Sequence, residues 1–173
     1  MEDDYIALAR RTIESYITNG TTINITDGLP QEMLSARAGA FVSLHRQGQL
    51  RGCIGTIRAT QENLAAEIMA NAISAATRDP RFERLRKDEL TDLEISVDVL
   101  GPAEKIDSLS ELDVKRYGVI VTKGYRRGLL LPDLDGVDSV EEQVAIALMK
   151  AGLSPDERNY QLERFEVVRH GEE

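Results

Sequence analysis

Hydrophobic positions along this chain change their period several times, and each change marks an element. Tyr5, Leu8, Ala9, Ile13, Tyr16 and Ile17 recur at steps of three and four, which predicts an amphipathic helix with Asp3 or Asp4 as its N-cap and Gly20 just past its end. The following TTINITDGLPQEM is polar, carries Gly28 and Pro30, and reads as a connection. The period then drops to two: AFVSLHR and LRGCIGTI, separated by QGQ, predict a β-hairpin. From Gln61 to Arg78, the residues Leu64, Ala65, Ile68, Ala72, Ala75 and Ala76 form one helical face of small side chains that permits close approach. Pro80 stops this helix by biasing Asp79 away from helical dihedrals. LEISVDVL alternates Leu93, Ile95, Val97 and Val99 with Glu94, Ser96 and Asp98, the pattern of a strand with one wet face. YGVIVTK and GLLLP flank GYRRG as a second hairpin, with Gly124 and Gly128 expected in its tight loop. Ser139 with Glu142, and Ser154 with Glu157, both have capping-box spacing, and Pro155 suits a first helical position, so two helix starts are expected. QLERFEVVRH closes the chain as a strand with Phe165 and Val167 on one face. Strands that arrive as hairpins among helices predict an α+β fold with mainly antiparallel sheets and flanking helices.

Composition narrows the class. With 173 residues and 42% hydrophobic content, the chain forms a core of ordinary size as one domain, 1–173. A smaller lobe is expected within about 60–136, bounded by loops near Thr60 and Gly136. The longest apolar runs, GLLL and AIALM, fall far short of the roughly 20 residues of a membrane span, and the start MEDDY is acidic where a secretory signal is basic. One cysteine allows no internal disulfide, and with only His45 and His170 a Cys/His metal site lacks ligands, so no metal is expected and a reducing, cytoplasmic setting fits. The net charge of -9 argues against a protein built to grip phosphate backbone. The stretch RDPRFERLRK is a local exception, and RNA contact through Arg78, Arg81, Arg84 and Lys87 is one function hypothesis.

The chemistry concentrates at LRGCIGT, Leu50 to Thr56. In a regular strand Arg51 and Cys53 point to one face while Leu50, Ile54 and Thr56 point to the other. A guanidinium beside a thiol favours the thiolate, and Gly52 and Gly55 remove side chains that would fence the sulfur in. The competing reading is a small buried hydrophobe in a packed strand. A base for Cys53 would have to be His45, and the hairpin register decides its face. A three-residue loop Gln47-Gly48-Gln49 puts Ser43 opposite Cys53 and His45 opposite Arg51; a Gly48-Gln49 turn moves His45 to the other face. Asp79 and Arg81, in RDPRF, are placed to orient one another as an ion pair at the helix exit. Asp133, Asp135 and Asp138 read as turn residues. Phosphate-loop, zinc-protease and serine-hydrolase patterns are absent.

LRGCIGT resembles the signature of the AMMECR-one domain family, and the likeness extends through GAFVSL, NAISAATRDPRF, LEISVDVLGPAEKI, YGVIVTKGYRRGLLLPDL and VEEQVAIALMKAGL. The ending LERFEVVRH is similar to the prokaryotic branch, AmmeMemoRadiSam system protein A. The resemblance implies a two-lobed α+β domain, an antiparallel sheet in each lobe, and the signature facing a cleft between lobes. It also implies association with Memo-type and radical-SAM proteins, the domain being fused behind a Memo-type domain in some relatives. It brings no established reaction and leaves the cofactor unknown. After GLLLP the chain departs from the Gln-Val-Ala pattern and the Trp-Asp of many relatives. The candidate binding surface is therefore Arg51, Gly52, Cys53, Gly55 and Thr56 with Asp79 and Arg81. It would recognise a small molecule, a modified peptide or a nucleotide, with Arg51 on an anionic group. The alternative is a thiol-dependent transferase or hydrolase with Cys53 as nucleophile and His45 or a cleft carboxylate as base.

Overall fold

A computed structural model of the chain describes residues 2–24 and 28–171. In chain order it begins with helices α1 (Asp4–Asn19) and α2 (Gln31–Ser35), then strands β1 (Ala40–Arg46) and β2 (Gln49–Gly55) and helix α3 (Leu64–Thr77). After a 3-10 turn, Lys87–Asp92, come β3 (Leu93–Leu100) and β4 (Glu104–Ile106), a second 3-10 turn, Leu109–Glu111, then β5 (Gly118–Lys123) and β6 (Arg126–Leu130). Helix α4 (Val140–Lys150) and strands β7 (Gln161–Phe165) and β8 (Val167–His170) complete it. The strands form two four-stranded sheets, in the orders β2-β1-β3-β8 and β4-β7-β5-β6, and the registered pairs β1/β2, β1/β3, β4/β7, β5/β6 and β5/β7 are antiparallel. This is the α+β class expected from the hairpin pattern.

The chain divides into two compact units, 1–100 with 168–173, and 101–167. The divisions fall after Leu100 and before Val168, where the sequence suggested Thr60 and Gly136. Thr60 is held inside the first unit because the Glu67 carboxylate accepts both its N–H and its hydroxyl, each at 2.6 Å.

In the first unit, Asp3 accepts from the N–H groups of Tyr5 and Ile6 and Gly20 ends α1 at φ 71°, as the capping pattern requires. The polar segment read as a connection contains α2, which inserts Met33 into the core; Ile25, Thr26 and Asp27 of that segment lie outside the described residues. Val42 lies opposite Val97 and Leu44 opposite Ile95, giving an apolar sheet face that packs with Ile13 of α1 and Ile68 and Ala72 of α3. Complete burial of each such valine, leucine or isoleucine side chain contributes roughly 1.5–3 kcal/mol. The expected wet face of β3 is only partly wet: Asp98 is buried because Arg169 of β8 pairs with it at 2.6 Å.

In the second unit, Val119, Val121 and Leu130 pack with Val144, Ala147 and Leu148 of α4, whose Ser139–Glu142 cap forms as predicted. The β5–β6 loop is shorter than expected, because Lys123 already pairs with Arg126 and only Gly124 and Tyr125 turn. Gly128 belongs to β6, and a Cβ there would lie 2.0 Å from the carbonyl oxygen of Ala147. Ser154 to Glu157 form a turn closed by the Glu157 N–H on the Ser154 carbonyl (3.0 Å), where the sequence suggested a helix start. Lys123 pairs with the Glu157 carboxylate at 2.9 Å, and the N–H groups of Arg158 and Asn159 donate to it, so it cannot close a capping box. The closing strand is two strands split at Glu166, with β7 in the second sheet and β8 in the first, so Phe165 and Val167 share no face. Among the described residues no helix is long and apolar enough to cross a membrane.

Candidate functional site around Cys53

The β1–β2 hairpin turns through Gln47 (φ 52°) and Gly48 (φ 77°), the paired positive dihedrals of a two-residue type I′ turn, with Arg46 opposite Gln49. Neither anticipated loop is the one formed. A β-bulge between Leu44 and His45 then shifts the register, so His45 faces Leu50, Leu44 faces Gly52 and Ser43 faces Cys53. Arg51 is the extra residue of the bulge.

The bulge separates the fates of Arg51 and Cys53. Arg51 donates from Nε and Nη2 to the two oxygens of Glu89, at 2.9 and 3.0 Å, and from Nη2 to the Arg84 carbonyl. Glu89 is 2% exposed and also accepts from Arg46 (2.8 Å) and the Arg86 N–H (2.9 Å). Arg51 above all, with the Arg86 N–H, holds the Glu89 carboxyl at about 2 against the opposing effect of burial. The anion partner foreseen for Arg51 is thus supplied by the protein itself.

Half-buried Cys53 has its sulfur 3.3 Å from the Ser43 hydroxyl. Its N–H donates to Asp79 at 2.9 Å and its carbonyl accepts from Arg81 at 3.3 Å. Since β2 is an edge strand, this side-chain pair occupies ladder positions that would otherwise stay open. Asp79 accepts from Nε, Nη2 and the N–H of Arg81, which leads in holding its carboxyl down to about 2. The expected Asp79–Arg81 ion pair is present, and the Arg81 guanidinium also reaches the Cys53 carbonyl. The register places His45, the candidate base, two residues along β1 from the serine that faces the thiol.

Gly52, Ile54, Gly55 and Thr56 are absorbed by the fold, while Leu50 stays exposed. A Cβ on Gly52 would meet the Ala75 carbonyl of α3 at 2.3 Å, and one on Gly55 the Phe41 ring at 2.2 Å, so the glycines admit a helix and a ring and do not lay the sulfur bare. Ile54 packs on the core. Thr56 donates to Glu67 at 2.8 Å and accepts from Asn71 at 3.2 Å. Glu67, 1% exposed, also accepts from Thr60 and the Gln61 N–H; these bonds outweigh burial and keep its carboxyl below the usual range. Sequence reasoning missed Glu67, Asn71 and Glu89. Glu67 and Asn71 interrupt a helix of small apolar residues, and such breaks are a legible sign of a buried polar network. Among the described residues no group of three or more His, Cys, Asp or Glu could hold a metal ion. The basic stretch is largely engaged internally: Arg81 on Asp79, Arg84 over the Tyr16 ring at 5.4 Å, and Arg86 on Asp88 at 3.2 Å.

These carboxylates set an acid limit. Asp79 and Glu89 fall from ordinary values of 3.8 and 4.5 to about 2 on folding, so their contribution is complete above the unfolded values and lost as pH falls toward 2. Urea unfolding should show stability declining by on the order of 2–3 kcal/mol per group between about pH 5 and 2. Asp79→Asn should flatten that decline, and an unchanged slope would refute the assignment.

The chain matches the AMMECR1 family over residues 6–170. A protein of Thermotoga maritima is 52% identical over 170 residues, covering 98% of both chains. One from Clostridium acetobutylicum is 50% identical over 172 residues, covering 99% of this chain and 36% of that protein, so the chain spans about a third of that relative's length. The crystal structure of an uncharacterized protein from Pyrococcus horikoshii superposes with a TM-score of 0.89 at 33% identity, covering 95% of this chain and 88% of that one. With the match running almost from end to end, the chain belongs to the AMMECR1 family.

Proposed function

We propose that the protein is a cytoplasmic binding module and that the first sheet's face at Cys53 takes a small molecule, a modified peptide side chain or a nucleotide. The observation that carries this is the company of the thiol: a serine hydroxyl at 3.3 Å, a backbone fixed by Asp79, and the half-exposed Arg81 guanidinium donating to the Cys53 carbonyl. That set offers one donor-acceptor hydroxyl, one polarizable sulfur and one cation in rigid positions, which suits recognition of an anionic or polar ligand. Binding is favoured over thiol catalysis because the residue registered opposite Cys53 is a serine and His45 faces Leu50. Arg81 takes the anion-contacting role: both arginines are paired with a carboxylate, but the Arg81 side chain is 53% exposed and that of Arg51 only 15%. Memo-type and radical-SAM proteins are the proposed partners; a relative that carries this domain within a chain almost three times as long supports action beside other domains.

Thermal unfolding across a panel of small carboxylates, phosphates and nucleotides tests the reading. A true ligand at about 100 times its Kd should stabilise the protein by about 2–3 kcal/mol, and Cys53→Ser with Ser43→Ala should remove most of that gain. A panel without any shift, or a shift indifferent to both substitutions, counts against it.

A further inference from the structure

The geometry points to a docking site for an acidic, aromatic-containing segment of a partner protein at the tip of the β5–β6 hairpin. Gly124, at φ 61°, and Tyr125 alone join the two strands. A two-residue turn with glycine at positive φ in its first position holds the tip in one conformation. It presents Tyr125 at 89% exposure, more than any other large hydrophobic residue described. Arg126 lies 5.5 Å from the Tyr125 ring and donates to the Gly152 carbonyl at 2.7 Å. That bond ties the tip to the end of α4, where Met149 is 54% exposed and Lys150 follows it.

The charges here are unevenly matched. Lys123 is paired with Glu157 at 2.9 Å and Arg127 with Glu163 at 4.0 Å. Arg126 donates to a carbonyl and, among the described residues, has no carboxylate paired with it. A guanidinium held beside an exposed aromatic ring, with an exposed methionine on the helix end it is tied to, is the kind of residue set that concentrates energy at protein interfaces. In a chain of net charge -9, an acidic partner is repelled over much of the surface and attracted at this point, so charge complementarity selects carboxylate side chains. Aromatic or apolar neighbours of those carboxylates would cover Tyr125 and Met149. A nucleic acid is a poorer occupant, because its affinity needs several cations to neutralise phosphates while Lys123 and Arg127 already face carboxylates.

Calorimetry with a random copolymer of glutamate and tyrosine, against poly-glutamate and poly-uridylate at low salt, tests the site. The copolymer should bind the wild-type chain best, and Tyr125→Ala and Arg126→Glu should each weaken it about tenfold. Tyr125→Ala leaves the Arg126–Gly152 bond in place, so it decides the matter if Arg126→Glu lowers the melting temperature. The chain has no tryptophan, so Tyr125→Trp puts a single indole at the tip, and its emission should shift on adding copolymer. Copolymer binding untouched by both substitutions overturns the proposal. So does poly-uridylate binding as tightly, or an indole shift on raising protein concentration alone, which would mean a second copy of the chain.

Discussion

Gly52→Ala is expected to destabilise the protein by about 3 kcal/mol or more, seen as a fall in the urea midpoint with an unchanged m value. The added methyl would sit 2.3 Å from the Ala75 carbonyl oxygen and 3.3 Å from its carbon, both backbone atoms of α3. A clash with a flexible side-chain end is relieved by a rotamer change, but this one requires the helix to move. Helix α3 is poorly placed to do so: Asn71 donates to the Ala40 carbonyl at 2.9 Å, and Glu67 holds Thr56, Thr60 and Gln61. Two controls separate this from the general cost of losing glycine. At Gly48 nothing lies within 4 Å of the added carbon, and Gly48→Ala should cost only about 1 kcal/mol through its positive φ. Gly55→Ala meets the Phe41 ring, a side chain that can swing, and should fall between the two. If Gly52→Ala folds with wild-type stability and loses only ligand response, the central glycine serves recognition and the packing account fails.

The contrast between the two parts of LRGCIGT shows what the chain makes legible. Period three-to-four and period two mark α1, α3 and both hairpins because each buries one face, and burial is written in the hydrophobic pattern. The bulge is not written there, since a glycine at position 52 carries no side chain to reveal which face it occupies. Once Arg51 becomes the extra residue, strict alternation no longer places it beside Cys53. The ion pair Asp79–Arg81 was visible because its members are two residues apart, whereas Glu89 lies 38 residues from Arg51 and only the folded chain joins them. The same holds for the C-terminus: QLERFEVVRH has the composition of one strand, and its break at Glu166 arises where that residue's carbonyl accepts the N–H of Gly101 at 2.8 Å.

Glu89→Ala should cost about 3–5 kcal/mol, the range for removing one member of a buried charged network. The substitution strands the Arg51 guanidinium, whose side chain is 15% exposed, and deprives Arg46 and the Arg86 N–H of an acceptor. Glu89→Gln should cost less, because the amide oxygen can still accept two of the four bonds even though the amino group then faces donors. Arg51→Ala should cost less than either, about 1–2 kcal/mol, since Arg46 and the Arg86 N–H remain on the carboxylate. Combined with Glu89→Ala it should show a coupling of about 1–2 kcal/mol in a double-mutant cycle. This ordering bears on function as well as stability. If Arg51 instead serves an external anion, Arg51→Ala would leave the urea midpoint unmoved and abolish ligand-induced stabilisation, while Cys53→Ser would leave that stabilisation intact. The expected pattern is the reverse, with the Arg51 guanidinium holding the bulge against Glu89 and recognition passing to Arg81, Ser43 and Cys53.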